Sequence, residues 1–373
     1  MIDILVVDIQ DEVTCFRTTH SRMFVSLQAL CVLLFLNLFA VMSSQVLPTF
    51  ADVVKAAGRL TGKINKTPVL SSTKLNEFIG LGEGIAYLKC ENMQKSGSFK
   101  ARGAFNAQLS LTDEKRSQGV ITFSSGNHAL GMSLAAKTIG ISATIVMPKD
   151  APRLKIDGTR ANGANIVFYD REAGEDREAA AAKILEEKPG MTLIPPYDHF
   201  DIVCGQGTAA KELFEEVGEL DYLFVCTGGA GLLSGSSLSA KALSPNCKVY
   251  GVEPEAGNDA QQSLKNGEIF KFAMPPKTIA DGAQTQFIGK LPFAVLNEVG
   301  NIDVLTVTDD QLVESLQFMA REMKQVVEPT GCLALAAAKH AGIDLVNKRV
   351  GIIISGGNVD MGRYANFLTQ QIS

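Results

Sequence analysis

The feature that most limits the fold of this chain is an alternation. Short β-branched or aliphatic runs at residues 122–125, 143–147, 165–169, 223–227, 248–252 and 350–355 are separated by Ala-rich stretches with helical spacing at 129–137, 178–187, 207–217, 232–242 and 309–324. Strands that are apolar throughout need cover on both faces, and intervening helices supply it, so the pattern predicts an α/β fold with mostly parallel sheets. Short turns of Gly, Asn and Pro join the segments, with no internal repeat and no low-complexity linker. Ligands of such sheets collect at the carboxyl ends of the strands, so a polar or Gly-rich turn that follows a strand is where chemistry is expected.

Composition narrows the partner. The 373 residues, 46% hydrophobic and 20% charged, suffice for a large core. A net charge of −5, from 35 basic and 40 acidic residues with no basic run, argues against nucleic acid and for a small-molecule substrate. Seven cysteines without a CxxC pair and four histidines suggest neither a disulfide framework nor a zinc site, which fits a reducing, cytoplasmic setting. One stretch stands apart: residues 25–42, VSLQALCVLLFLNLFAVM, carry no charge and follow Arg22. They read as a membrane anchor, a secretory signal, or an extension of residues 1–41 placed ahead of an enzyme that opens at Met42. A membrane partner is expected only if residues 25–42 are retained as an anchor.

Four segments carry the candidate chemistry. In Lys95-Ser-Gly-Ser-Phe-Lys-Ala-Arg-Gly-Ala104, Lys100 reads either as a surface lysine at a helix start capped by Ser98, or as a desolvated amine flanked by Phe99 and small residues and available for a Schiff base. In Thr122-Phe-Ser-Ser-Gly-Asn-His-Ala129 a strand runs into a helix, with Ser124 or Ser125 as cap, and the same free N–H groups with Asn127 and His128 suit a carboxylate. Cys226-Thr-Gly-Gly-Ala-Gly-Leu-Leu-Ser-Gly235 is a Gly-rich strand-to-helix turn of the kind that admits a phosphate. It is not followed by the Gly-Lys-Ser/Thr of a Walker loop, nor by the acidic residue of a dinucleotide fingerprint. In Ile354-Ser-Gly-Gly-Asn-Val-Asp360, Ser355 offers a hydroxyl to a heterocycle nitrogen or to its own turn.

In this order, and together with Thr67-Pro-Val-Leu70, Thr278-Ile-Ala-Asp-Gly282 and Glu328-Pro-Thr-Gly331, the segments resemble the fold-type II pyridoxal-phosphate enzymes, in their serine/threonine dehydratase and serine racemase branch. The resemblance implies two three-layer α/β/α domains, a large one of residues 42–118 and 198–373 and a small one of 119–197 inserted in it, and a homodimer. It implies that Lys100 holds pyridoxal 5'-phosphate, with Phe99 beside it, and moves the substrate α-proton on one face while Ser125 serves the other. Asn127 would meet the ring hydroxyl, the Ser124 to His128 turn the substrate carboxylate, and Gly228, Gly229, Ala230, Gly231 and Leu232 the phosphate. Ser355 would meet the ring nitrogen; a hydroxyl there weakens the electron sink and favours β-elimination. Ala230 replaces a customary glycine, and its methyl is expected to be tolerated only at negative φ.

The resemblance also implies a cation loop in Glu253-Pro-Glu-Ala-Gly-Asn-Asp259, with carboxylates from Glu253 and Asp259 and a carbonyl from Gly257, a hard-oxygen set for Mg²⁺ or Ca²⁺ that otherwise reads as an acidic surface loop. The implied substrates are serine, threonine and threo-3-hydroxyaspartate, giving a 2-oxo acid and ammonia, or D-serine. Arg177, with Thr285 as companion, would face a second carboxylate, or else pair with neighbouring acids on a solvated helix. A β-replacement enzyme and a catalytically silent cofactor-binding sensor are the rival readings.

Overall fold

The structure is a computed structural model that describes residues 46–372. The apolar stretch and the three readings of it lie outside the described residues. From Leu47 onward the chain forms one compact unit.

The strand runs assemble into two sheets. A six-stranded sheet has the order β1-β2-β10-β7-β8-β9, with β1 Val69–Leu70, β2 Ile85–Cys90, β7 Tyr222–Cys226, β8 Lys248–Pro254, β9 Ile302–Val307 and β10 Arg349–Ile354. Only the short β1 is antiparallel, to β2; the other pairs are parallel. A four-stranded parallel sheet has the order β5-β4-β3-β6, with β3 Val120–Phe123, β4 Ala143–Pro148, β5 Asn165–Tyr169 and β6 Thr192–Leu193. The expected α/β fold with mostly parallel sheets is present. All six expected strands form, several shifted by one or two residues: β3 ends at Phe123 because Ser124 and Ser125 already belong to the turn.

Four strands escaped the sequence reading. β2 hides because its fifth residue, Lys89, is a charge that is fully buried, and β1 and β6 are only two residues long. β9, at the sheet edge, has Asp303 inside it. The helix expected at 207–217 begins at Phe200, with His199 Nδ1 accepting from Asp201 N–H. Its Gly205 and Gly207 read as breaks, yet they are sites of close helix approach. A Cβ on Gly205 would lie 2.7 Å from the Arg102 carbonyl oxygen, and one on Gly207 2.6 Å from that of Gly235. Three helices, Lys100–Leu109, Phe200–Val217 and Gly231–Leu243, therefore pack nearly backbone to backbone. The helix expected at 309–324 stops at Arg321, before Lys324 at φ +56°. Among the described residues no helix is long and apolar enough to cross a membrane, and Cys90, Cys204, Cys226, Cys247 and Cys332 are free, buried thiols.

Beneath the Lys100–Leu109 helix lies a buried ion cluster. The Arg102 guanidinium, with no solvent exposure, meets both oxygens of buried Glu91 at 2.7 Å and those of Glu212 at 2.7 and 2.8 Å. Lys89 Nζ donates to Glu212 at 2.7 Å and to the Thr67 carbonyl at 2.8 Å. Two cations face two carboxylates, so the cluster is neutral and densely hydrogen-bonded, the condition under which buried charge is tolerated. Arg102→Ala should cost about 3–5 kcal/mol by leaving two carboxylates under-neutralised. Urea unfolding of the apoprotein reads this directly, and a loss below about 1 kcal/mol, the range of a surface pair, would contradict it.

Candidate active site

Lys100 opens its helix at the carboxyl end of the large sheet. The preceding residues lock it to the C-terminal loop: Phe99 N–H donates to the Ser355 carbonyl at 3.0 Å, Gly357 N–H to that of Gly97 at 2.9 Å, and Ser98 bridges to Gly356. Ser98 is thus a bridge residue and not the cap of the helix; Phe99 occupies the N-cap position without a side-chain bond. Lys100 Nζ donates to the Pro196 carbonyl at 2.8 Å and stands 5.1 Å from the Phe99 ring centroid. No carboxylate is among the groups that act on it. Desolvation brings its pKa from 10.5 down to about 8, opposed only by the neighbouring Cys226 thiol. Of the two readings of Lys100, the desolvated amine is the one the surroundings favour.

The Ser124 to His128 turn abuts this lysine. A Cβ on Gly131, one turn into the Asn127–Ile139 helix, would lie 3.1 Å from the Lys100 carbonyl carbon. The helix N-cap is Gly126, with no side-chain cap, while Ser124 Oγ accepts from Gly126 N–H at 3.2 Å. The first-turn N–H groups therefore lack a side-chain acceptor, which suits a carboxylate. His128 needs a correction to its expected contribution. Its ring is buried, with Nε2 3.3 Å from the Ile194 carbonyl and the pKa pushed down to about 3 by desolvation, so it is a neutral core imidazole and offers only its backbone N–H.

The Gly-rich loop behaves as a phosphate cradle should. The N-cap of the Gly231–Leu243 helix is Ala230, again without a side-chain cap. The Tyr197 ring presses on the loop so closely that a Cβ on Gly229 would lie 2.1 Å from it. Ala230 departs from expectation: its φ is +64°, not negative. The left-handed conformation costs about 1–2 kcal/mol, but the methyl is buried in the main core, about 0.8 kcal/mol in its favour, and a glycine would lose about 0.5–1 kcal/mol of chain entropy. The terms nearly cancel, which explains why alanine is tolerated. Thr285 lies beside this loop, with Cγ2 3.6 Å from a Cβ placed on Gly228 and its hydroxyl turned to Asp259. Thr285 and Arg177, expected as companions, have different direct neighbours: the half-buried Arg177 guanidinium rests 5.0 Å from the Phe123 ring centroid, hydrogen-bonds Tyr197, and has Glu178 at 4.0 Å. Ser355 is buried, and its hydroxyl is a hydrogen-bond partner of Cys226.

The acidic loop is not a solvated surface. Glu253 and Asp259 are both fully buried. Each Glu253 oxygen accepts one N–H at 2.9 Å, from Ala260 and Gln261, whereas Asp259 is met only by the Thr285 hydroxyl and its own backbone N–H. Burial raises both carboxyls, Asp259 to about 7, and their mutual repulsion adds to the rise at Glu253. Two adjacent buried acids with unspent lone pairs fit a hard cation. Gly257 lies between them in sequence, held against Pro276, with room for a Cβ lacking. Among the described residues no third His, Cys, Asp or Glu joins the pair, so any further ligands are carbonyl or water oxygens.

Several neighbours escaped the sequence reading. Asn127 Nδ2 donates to Glu328 Oε1, and Glu328, buried, lies 3.8 Å from Lys155 Nζ, which is bound to Asp281 at 2.6 Å. A cavity of about 370 Å³ opens beside Lys155, Asp281, Glu328 and Asn358. Tyr197 also belongs here. Asp281, Glu328 and Asn358 stand in motifs already quoted from the sequence but without a role there, whereas nothing local marks Lys155 or Tyr197.

A lysine with a depressed pKa at the strand ends, an uncapped Gly-rich turn and a buried serine at the end of β10 fit pyridoxal phosphate, and together they define a pyridoxal-phosphate-dependent enzyme of fold type II. The comparisons agree: residues 60–356 match the family model described as "Pyridoxal-phosphate dependent enzyme", and the chain belongs to that family. Within it, the chain is 56% identical over 326 residues to a serine racemase of Schizosaccharomyces pombe, covering 87% of this chain and 98% of that one. It is 55% identical to an L-threo-3-hydroxyaspartate ammonia-lyase of Saccharomyces cerevisiae, covering 87% and 97%. Among solved structures, maize serine racemase superimposes with a TM-score of 0.80 at 36% identity, covering 86% of this chain and 97% of that one. The chain is a member of the dehydratase and racemase branch.

The Lys100 environment sets a pH expectation. An amine whose pKa is about 8 becomes nucleophilic as pH rises through 8, more than two units before an ordinary lysine. Trapping of pyridoxal phosphate on the apoprotein with borohydride, followed by mass spectrometry at Lys100, should rise with a midpoint near pH 8; a midpoint near the ordinary 10.5 would contradict the desolvated pocket.

Proposed function

We propose that this chain acts on small β-hydroxy amino acids, releasing ammonia and a 2-oxo acid and also interconverting the enantiomers of serine. The observation that carries the reading is the Lys100 amine, desolvated, free of carboxylates and aimed at the Pro196 carbonyl between the Ser124 turn and the phosphate cradle. Pyridoxal phosphate, when bound, supplies an electron sink that lowers the cost of removing the Cα proton. Lys100 is its covalent anchor, flanked by Phe99, and accepts or returns that proton on one side of Cα; Ser125 does so on the other. The N–H groups of the Ser124 to His128 turn hold the substrate carboxylate. Asn127 meets the ring hydroxyl, residues 228–232 the phosphate, and Ser355 the ring nitrogen. The division into a large domain, 42–118 and 198–373, and an inserted small one, 119–197, is part of this reading; what supports it is that one sheet takes strands only from Val120 to Leu193.

Substrate choice rests on Arg177. Its guanidinium stands on Phe123, directly before the Ser124 turn, and is not consumed by a close ion pair. A second carboxylate at Cβ would find there the cation it needs, whereas serine and threonine would not use it. Ammonia and 2-oxo acid release should be measured over L-serine, D-serine, L-threonine and L-threo-3-hydroxyaspartate. Arg177→Ala should lower kcat/KM for hydroxyaspartate about 10- to 100-fold, the worth of a charged hydrogen bond, and leave threonine within about twofold. Equal losses would remove Arg177 from recognition, and no product from any of the four would remove the function.

Glu253, Asp259 and the Gly257 carbonyl hold Mg²⁺ or Ca²⁺ in this reading. A cation at 100 times its Kd stabilises the folded state by about 2.7 kcal/mol. Chelation of the holoenzyme should therefore lower the melting temperature and Mg²⁺ restore it, while Asp259→Asn should be insensitive to both. An unchanged melting temperature on chelation would count against the site.

A further inference from the structure

The amide of Asn127 is gripped at both ends by residues from the far end of the chain. Its Nδ2 donates to Glu328 Oε1, and its Oδ1 accepts from Asn358 Nδ2 at 3.0 Å. Asn358 Nδ2 also donates to the Ser96 carbonyl at 2.7 Å, so both of its N–H groups are used. The Asn358 side chain cannot move toward its other side, because a Cβ on Gly97 would already lie 2.2 Å from its Oδ1, and Gly97 has φ +73°.

Donor and acceptor rules then run in one direction. The Ser96 carbonyl can only accept, which turns the Asn358 Nδ2 toward it. That Nδ2 can only donate, which turns the Asn127 Oδ1 toward Asn358. The Asn127 Nδ2 is left to Glu328 with one N–H to spare. A half-turn of the Asn127 amide would set donor against donor at Asn358 and oxygen against carboxylate at Glu328, two repulsive pairings. Glu328 alone does not impose this direction: burial raises its carboxyl to about 7, and a protonated carboxyl donates as readily as it accepts.

We propose that Asn358 is a positioning residue, acting through Asn127: relayed from the Ser96 carbonyl, it fixes the Asn127 amide as an N–H donor toward the ring hydroxyl of the cofactor, with Glu328 as the second grip. The proposal rests on the pyridoxal-phosphate reading of the site and deepens it, since it assigns the direction of the ring-hydroxyl contact to a residue that does not itself touch the ring. A purely structural tether between Asn358 and the Ser96 turn is the competing explanation.

A double-mutant cycle separates the two. Holoenzyme is prepared as wild type, Asn358→Leu, Asn127→Ala and the double variant, with three readouts: the visible absorption band of the bound cofactor, kcat and KM for L-serine, and the melting temperature of each apoprotein. Asn358→Leu should shift the band and lower kcat about 10- to 100-fold, as loss of an outer partner does, with a much smaller change in KM. In the Asn127→Ala background the same substitution should change neither band nor kcat further. A substitution that costs as much without Asn127 as with it, or that lowers the melting temperature while leaving the band in place, overturns the proposal. Asn358→Ser carries the same cycle if the leucine variant does not fold. A wild-type band that survives Lys100→Ala would instead overturn the underlying reading, and is read separately.

Discussion

Arg102 has five N–H donors and no access to water, and the carboxylates that satisfy it come from different places: Glu91 from the turn after β2, Glu212 from the Phe200–Val217 helix. A buried guanidinium accepts few alternative arrangements of such partners, because each missing bond leaves a desolvated charge. The first turn of the Lys100–Leu109 helix is therefore fixed relative to the large sheet, and Lys100 stands two residues before Arg102. The close glycine contacts of Gly103 and Gly205 serve the same constraint, since bare backbones let the Lys100–Leu109 and Phe200–Val217 helices approach closely enough for the Arg102–Glu212 pair. The Lys100 amine is thus positioned from two sides, by the C-terminal loop that binds residues 97–99 and by a charge cluster directly underneath it.

The same currency, desolvation, distinguishes the parts of the site that hold from the parts that act. In the Arg102 cluster every charge has a counter-charge, and Glu212, for all its burial, sits below its ordinary carboxylate pKa because Arg102 and Lys89 donate to it. At Lys100, Glu328 and Asp259 burial outweighs the partners present, and the pKa values move to about 8, 7 and 7, toward neutrality in each case. Groups left in this condition are either proton carriers or waiting for a partner charge. The proposed function assigns Lys100 to the first kind. It assigns Asp259, with a second acid alongside, to the second kind.

Much of this was legible in the sequence where local chemistry and periodicity coincide. The Ser124 and Cys226 turns each couple an apolar strand to a helix start, so both periodicity and turn chemistry mark them, and both occupy the expected place. Lys100 was legible for the same reason. The failures have physical causes. β2 carries Lys89, whose neutralisation by Glu212 spans 123 positions, and the helix start at Phe200 was masked by glycines that serve packing. His128 looked like a ligand because a sequence does not show that Ile194 waits 66 residues away. The grip on Asn127 joins residues 201 and 231 positions apart, beyond any local pattern. Ala230 was misjudged on φ alone, since the burial of its methyl is a tertiary property.

The residues around Lys100 also constrain how the chain divides elimination from racemisation. Beside the ring-nitrogen position stand Ser355 and Cys226, and the thiol is pushed up to about 11 by burial, so both are neutral at physiological pH. With no carboxylate there, charge developed at Cα is withdrawn less strongly, and departure of a β-substituent becomes the easier way to discharge it. In the proposed reading racemisation must compete by delivering a proton to the other side of Cα before that departure, a task assigned to Ser125, whose hydroxyl is a poor acid unless an adjacent group shares its proton. The charged groups nearest that turn lie behind it, in the Lys155, Asp281 and Glu328 set that grips Asn127. In the proposed reading elimination is the easier course, and the racemase share would depend on how firmly that set and Asn127 hold the Ser125 side of the site in register with Lys100.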